Sequence, residues 1–66
     1  MTIVLNGETR DVPDGLTLMA LLDWLKIAAD RVAVERNLEI IPRSRWPAAR
    51  VESGDRLEVV HFVGGG

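Results

Sequence analysis

The first apolar run of the chain is followed by a turn signal and then by a more polar run. Residues 2–5 are apolar or β-branched, and Asn6-Gly7 comes directly after them. Asn-Gly supplies two residues that accept positive φ, as a type I′ hairpin turn requires. Residues 8–12 are then the returning strand, which is more polar and therefore expected at a sheet edge. Residues 13–15, Pro-Asp-Gly, break this strand.

Leucines at helical spacing come next. They fall at positions i, i+3, i+4 and i+7, namely Leu18, Leu21, Leu22 and Leu25. This spacing predicts one continuous helical face. Thr17 is placed to cap the helix by accepting hydrogen bonds from its unpaired first amides. We predict a helix over residues 18–27 that packs its leucines on a sheet.

The second half of the chain predicts three further strands, at residues 31–36, 39–41 and 56–62. Residues 43–51 are expected to be irregular, with one helical turn near Trp46, whose indole covers an end of the core. The first and last strands are the most apolar, so both are expected in the middle of the sheet. Because a long crossover separates them, they must run parallel if they pair. The predicted fold is an α+β β-grasp, a mixed sheet of four to five strands packed on one main helix.

Size and composition narrow the possible functions. The chain has 66 residues, a formal net charge of −2 and no cysteine. A domain this small buries only about 60% of the surface of its unfolded chain, which leaves little room for a deep pocket. Without cysteine there is no thiolate metal site, and the scattered basic residues do not predict a nucleic-acid surface.

Neither a catalytic site nor a metal site is indicated. The acidic residues lack metal-ligand spacing, and the single histidine, His61, has no carboxylate partner nearby in sequence. No apolar stretch approaches about 20 residues, the length of a membrane span, and no signal-peptide pattern opens the chain. We therefore expect a cytoplasmic protein that is not itself an enzyme and has no membrane partner.

The chain ends in three glycines, Gly64, Gly65 and Gly66. We predict a flexible tail over residues 64–66 after a domain of residues 1–63, because glycine has high backbone freedom and no packing atoms. The chemical asset of such a tail is its terminal carboxylate. Attack on the α-phosphate of ATP would convert this carboxylate to an acyl adenylate, from which a sulfur nucleophile would make a thiocarboxylate. A glycine tail taken alone is better explained as an incidental flexible terminus or a remnant of protein expression. Its place directly after the last strand of a β-grasp reverses this balance and favours a terminus that reacts.

The whole length of the sequence resembles the ThiS family, the sulfur carrier proteins of thiamine (thiazole) biosynthesis. The most specific segments are Val-Glu-Arg-Asn-Leu-Glu-Ile-Ile-Pro-Arg at residues 34–43, Gly54-Asp55, and Val-Val-His-Phe-Val-Gly-Gly-Gly at residues 59–66. The resemblance implies that Gly66 is adenylated by a ThiF-type enzyme and converted to a thiocarboxylate, and that Gly65 is small enough to let it reach that enzyme. It also implies that the sulfur comes from a sulfur-donating enzyme and goes to thiazole synthase, ThiG. The resemblance further implies that this chain binds no cofactor itself, because the activating partner uses the ATP.

Alternation along the last strand places Val60 and Phe62 on the sheet face opposite the helix, where Val4 and Ala33 are expected to join them. An exposed apolar patch on so small a domain indicates a docking surface for partners. The alternative is that irregular segments cover these residues, or that they are scattered exposed apolar side chains.

Two other functions compete with the thiazole sulfur carrier. One is a related carrier, the small subunit of molybdopterin synthase, which also has a β-grasp fold and a Gly-Gly end. The segment around Glu35, Arg36 and Asn37, together with the short length, favours the ThiS family. The other is a non-covalent β-grasp interaction module whose glycine tail is incidental.

Overall fold

A computed structural model of the protein describes residues 1–62. This part of the chain contains one α-helix, α1 (Leu18–Trp24), and five strands. The strands are β1 (Thr2–Leu5), β2 (Glu8–Asp11), β3 (Val32–Arg36), β4 (Glu39–Ile40) and β5 (Arg56–His61). Short 3₁₀ turns span Ala29–Arg31 and Arg43–Arg45. The predicted domain boundary at residue 63 and the predicted tail at residues 64–66 lie outside the described residues.

The five strands form one mixed sheet in the order β2-β1-β5-β3-β4. β1 and β5 are the inner pair and run parallel, with Val4 beside Arg56 and Leu5 beside Leu57. The other neighbouring strands are antiparallel. β2 is an edge strand whose residues are all exposed, in agreement with its polar sequence. The predicted β-grasp arrangement is confirmed, including the central parallel pair.

Both hairpin turns in the described chain place two successive residues at positive φ. Asn6 and Gly7 have φ values of 49° and 81°, which confirms the turn predicted from their sequence. Asn37 and Leu38 form the corresponding turn between β3 and β4, with φ values of 51° and 72°. A leucine in this conformation is unusual, because its Cβ crowds the following carbonyl oxygen. The sequence did not predict it.

Helix α1 begins as predicted and ends earlier. The Ala20 amide donates to the Thr17 hydroxyl oxygen at 3.1 Å, which confirms the predicted cap. The helix ends at Trp24 instead of residue 27, because Lys26 adopts a left-handed φ of 62°. The amide of Lys26 then donates to Asp23 and that of Ile27 to Leu22, which is the hydrogen-bond pattern of a Schellman motif.

The core lies between α1 and one face of the sheet. Its buried apolar residues come from α1, β1, β3, β5 and the connecting segments: Ile3, Leu5, Val12, Leu18, Leu21, Leu22, Val32, Val34, Trp46, Val51, Leu57 and Val59. The predicted helical stripe is confirmed at its first three leucines, whereas Leu25 is only partly buried. Trp46 is 1% exposed, and its indole N–H donates to the Ile41 carbonyl oxygen at 2.9 Å. Within residues 1–62 no helix reaches the length and apolarity needed to cross a membrane.

Candidate functional site

Strand β5 leads directly to the last residues of the chain. It lies between β1 and β3 in the sheet, but its ladder with β1 covers only Arg56 and Leu57, whereas its ladder with β3 runs from Leu57 to His61. Leu57 and Val59 point into the core and are buried. Val60 and Phe62 are 54% and 62% exposed, as the alternation predicted. The last part of β5 is therefore paired with β3 and presents apolar side chains to solvent.

The strand register defines which residues accompany Val60 and Phe62 on this outer face of the sheet. Ala33 lies directly opposite Val60 in the β3–β5 ladder. The Phe62 amide donates to the Arg31 carbonyl oxygen at 2.9 Å, which continues this ladder one residue past β5. Ala33, Val60 and Phe62 thus form a contiguous group, which we call the outer patch.

Val4 lies on the same face but away from the outer patch. It is paired with Arg56, four residues before Val60 along β5. Four residues of extended strand correspond to about 13 Å. Glu58 lies between them on the outer face, because side chains two residues apart share a face. The register therefore separates Val4 from the two docking residues with which the sequence had grouped it.

Ile40 borders the outer patch and was not predicted to do so. Its side chain is 70% exposed, and it pairs with Glu35 across the β3–β4 hairpin. A depression of about 220 Å³ at this end of the sheet is lined by Ala33, Ile40, Phe62 and neighbouring residues. Finding Ile40 from sequence would have required the β3–β4 register, which a two-residue strand does not reveal.

Carboxylates adjoin the outer patch. Glu35 and Glu58 are directly opposite each other in the β3–β5 ladder. They lie two residues along the strands from Ala33 and Val60, on the same face. Like charges on directly opposite residues of neighbouring strands repel one another, and a cationic partner group would relieve that repulsion. The outer face therefore combines an apolar area with an adjacent negative one.

His61 does not belong to a catalytic or metal-binding group among the described residues. It pairs with Val32 at the end of the ladder and is exposed. Within residues 1–62, no three His, Cys, Asp or Glu side chains are grouped so that they would hold a metal ion. The predicted reacting residue, Gly66, and its neighbours Gly64 and Gly65 lie beyond the described chain, so their roles stay predictions.

Comparisons with known proteins identify relatives over the whole chain. The family model described as "ThiS family" matches residues 3–66. The sulfur carrier protein ThiS of Bacillus subtilis is 40% identical over 63 residues, which is 94% of this chain and 96% of that protein. A crystal structure of a thiamine biosynthesis protein (ThiS) from Geobacter metallireducens superposes with a TM-score of 0.87 at 38% identity and covers 100% of both chains.

Another relative is much longer. A thiazole synthase of Paramagnetospirillum magneticum is 48% identical over 66 residues, and the match covers 100% of this chain but only 20% of that protein. The chain thus spans about a fifth of this thiazole synthase. The family model, the carrier protein and the solved structure all match this chain over nearly its full length, and the chain belongs to the ThiS family.

Proposed function

We propose that the chain is a sulfur carrier in thiamine biosynthesis, which holds sulfur as a thiocarboxylate at Gly66 and delivers it to thiazole synthase. The observation that carries the proposal is the family match, which runs through residue 66 and so includes the terminal glycines. The pairing of β5 supports it, because the strand before the terminus is paired with β3 up to His61.

The chemistry requires a partner that activates the terminal carboxylate. A carboxylate is a poor electrophile, because its anionic oxygen is a poor leaving group. Attack of a Gly66 carboxylate oxygen on the α-phosphate of ATP breaks the bond to the β-phosphate and releases pyrophosphate. A hydrosulfide ion, HS⁻, then attacks the acyl carbon, AMP leaves with the electron pair of the broken C–O bond, and the resulting thioacid loses the proton on its sulfur. The product is C(=O)S⁻ at Gly66, formed by a ThiF-type adenylyltransferase and a sulfur-donating enzyme.

We propose the outer patch as the surface on which these partners dock. Val60 and Phe62 are more than half exposed although both are large apolar residues next to the reacting terminus. A partner that binds the terminus necessarily approaches this end of β5, so burial of the patch would add to the affinity. The adjacent Glu35 and Glu58 favour a partner with basic side chains around an apolar centre.

Thiazole synthase is proposed as the recipient of the sulfur on the strength of the longer relatives. In the thiazole synthase of Paramagnetospirillum magneticum, a segment 48% identical to this chain occupies 20% of the polypeptide. Linking two modules in one chain raises their effective concentration, which is useful when the modules work together. We propose that this chain makes the corresponding encounter with a thiazole synthase.

Intact-mass measurement tests the proposal. The chain is incubated with ATP, a ThiF-type enzyme and a sulfur donor, and its mass is followed. The expected result is an increase equal to the difference between sulfur and oxygen, located at Gly66 by fragmentation and absent when Gly66 is deleted. A known ThiS protein converted in parallel is the control. If that protein gains mass and this chain does not, the carrier function is wrong and a non-covalent interaction module becomes the better explanation.

The related molybdopterin carrier is distinguished by genetic rescue. The chain is expressed in a host that lacks both its own thiazole sulfur carrier and its small subunit of molybdopterin synthase. There it should remove the requirement for thiazole. Restoration of molybdoenzyme activity without relief of the thiazole requirement would instead assign it to molybdopterin synthesis.

A further inference from the structure

Strand β1 ends before it has paired with the whole of β5, and Asn6 extends the pairing beyond that point. The β1–β5 ladder stops at Leu5 and Leu57. The Asn6 amide then donates to the Leu57 carbonyl oxygen at 2.8 Å. Its side chain reaches two residues further: Oδ1 accepts from the Val59 amide at 2.7 Å, and Nδ2 donates to the Val59 carbonyl oxygen at 3.2 Å.

The carboxamide of Asn6 thus takes the place of a strand residue. It presents one acceptor and one donor to Val59, as the backbone of a neighbouring strand would. The turn itself needs only a residue that tolerates a φ of 49°, a condition that Asp and Gly also meet. Asp has no side-chain donor at neutral pH and Gly has no side chain. The hydrogen bonds to Val59 therefore require an Asn side chain, whereas the turn does not.

Asn37 makes a comparable contact at the other edge and the other end of β5. Its amide donates to the Arg56 carbonyl oxygen at 2.8 Å, and its Oδ1 accepts from the Arg56 amide at 3.0 Å. Both asparagines occupy the first positive-φ position of a hairpin turn. Asn37 holds the beginning of β5, whereas Asn6 holds the part next to the outer patch.

We propose that Asn6 is a positioning residue that keeps the C-terminal half of β5 in the geometry its partners bind. The inference rests on the proposed function and adds a residue that acts through its hydrogen bonds to Val59. Val59 immediately precedes Val60 and lies three residues before Phe62. Without the Asn6 side chain, this segment is held on one edge only, by its pairing with β3.

The expected effect is on recognition more than on chemistry. If the segment leaves its place for part of the time, a partner binds only the remaining fraction, and the apparent affinity falls in proportion. Once the partner is bound, its own contacts hold the segment. Substitution of Asn6 should therefore raise KM of the activating enzyme for the carrier and leave kcat nearly unchanged.

The test compares Asn6→Gly with the matched variant Asn37→Gly. Gly-Gly forms type I′ turns, so Asn6→Gly keeps the turn and removes the side-chain hydrogen bonds. We expect KM for adenylation to rise about three- to tenfold, which is less than the combined value of the two lost hydrogen bonds because pairing with β3 still holds the segment for part of the time, and we expect no rise for Asn37→Gly. An unchanged KM in Asn6→Gly, or an equal rise in both variants, overturns the inference.

Hydrogen exchange in the free carrier provides a readout that needs no partner. The Phe62 amide is bonded to Arg31 and not to Asn6, so faster exchange there in Asn6→Gly reports release of the segment. Equal exchange of Phe62 in the wild-type chain and in Asn6→Gly contradicts the inference. If the wild-type chain is never adenylated, the proposed function fails and this exchange measurement alone decides the inference.

Asn6→Asp serves if Asn6→Gly does not fold. Asp-Gly also forms type I′ turns, and the carboxylate can still accept from the Val59 amide. It cannot donate to the Val59 carbonyl oxygen, so we expect a smaller rise in KM with kcat retained. A KM equal to that of the wild-type chain, in a folded Asn6→Asp variant with unchanged Phe62 exchange, also overturns the inference.

Discussion

Replacement of Phe62 by aspartate is the most direct test of the outer patch. Phe62 is the largest exposed apolar side chain next to the terminus that we propose to react, and its amide donates to the Arg31 carbonyl oxygen. Aspartate removes the aromatic ring and places a charge where an apolar partner surface is expected. The backbone hydrogen bond does not depend on the side chain, so the ladder between β3 and the end of β5 should persist.

The size of the effect follows from the exposed fraction. A phenylalanine side chain contributes about 150–250 Å² when it is buried. With 62% of Phe62 exposed, about 100–150 Å² remains for a partner to cover. At about 25 cal/mol per Å², full burial is worth about 3 kcal/mol, or about a hundredfold in affinity. The part already covered by the domain corresponds to about 2 kcal/mol of stability, below the about 5–15 kcal/mol typical of folded domains.

The assay measures binding of the activating enzyme to each carrier variant by calorimetry, after thermal unfolding has shown that the variant is folded. Leu38→Asp is the matched control, since Leu38 is 87% exposed and lies beyond the opposite end of β3. Aspartate tolerates the positive φ of that position. A folded Phe62→Asp carrier that binds within about twofold of the wild type would refute the reasoning, since about 3 kcal/mol corresponds to about a hundredfold. An equal loss in Leu38→Asp would show a general charge effect.

Three further substitutions test the packing and backbone assignments. Lys26→Gly should raise the free energy of unfolding by about 1 kcal/mol, because glycine adopts the left-handed φ of 62° without strain. Lys26→Ala should not raise it. Equal thermal midpoints for the two variants would contradict this explanation. Asp55→Ala should lower the free energy of unfolding in urea by about 1–3 kcal/mol, because it leaves the Glu52 amide without its 2.8 Å acceptor and Arg36 without its carboxylate. Asp55→Asn keeps an acceptor and should lower this free energy less. A larger loss in Asp55→Asn than in Asp55→Ala would count against the hydrogen bond. Trp46→Ala should cost about 3–5 kcal/mol and leave little cooperative unfolding by circular dichroism, and a native-like melting curve would show that Trp46 is not central to the core.

Much of the fold was readable from local signals. Asn6-Gly7 predicted the first hairpin, and the leucine spacing after Thr17 predicted the start and the buried face of α1. The end of α1 was not readable, because Lys26 carries no sign of the left-handed conformation that stops the helix. The positive φ of Leu38 was not predicted for the same reason. Residues such as Lys and Leu, unlike Asn, rarely adopt positive φ unless surrounding contacts over-determine it, and those contacts belong to the folded chain.

The candidate site was predicted in part. Alternation along β5 correctly placed Val60 and Phe62 on the outer face, because a strand's side chains have a period of two. It could not decide which residues on other strands lie beside them. The register set Ala33 opposite Val60 and left Val4 about 13 Å away along the strand direction. Ile40 borders the patch only through the pairing of β3 with β4.

The sequence by itself determined the order of the elements, the buried face of each and the terminal glycines that resemble those of a sulfur carrier. These properties depend on neighbouring residues, whose spacing and side chains are visible in the chain. Only the tertiary structure decided which side chains meet across strands and what holds β5. The contact between Asn6 and Val59 joins residues 53 positions apart, and a turn residue became a strand partner because the sheet brought the two together.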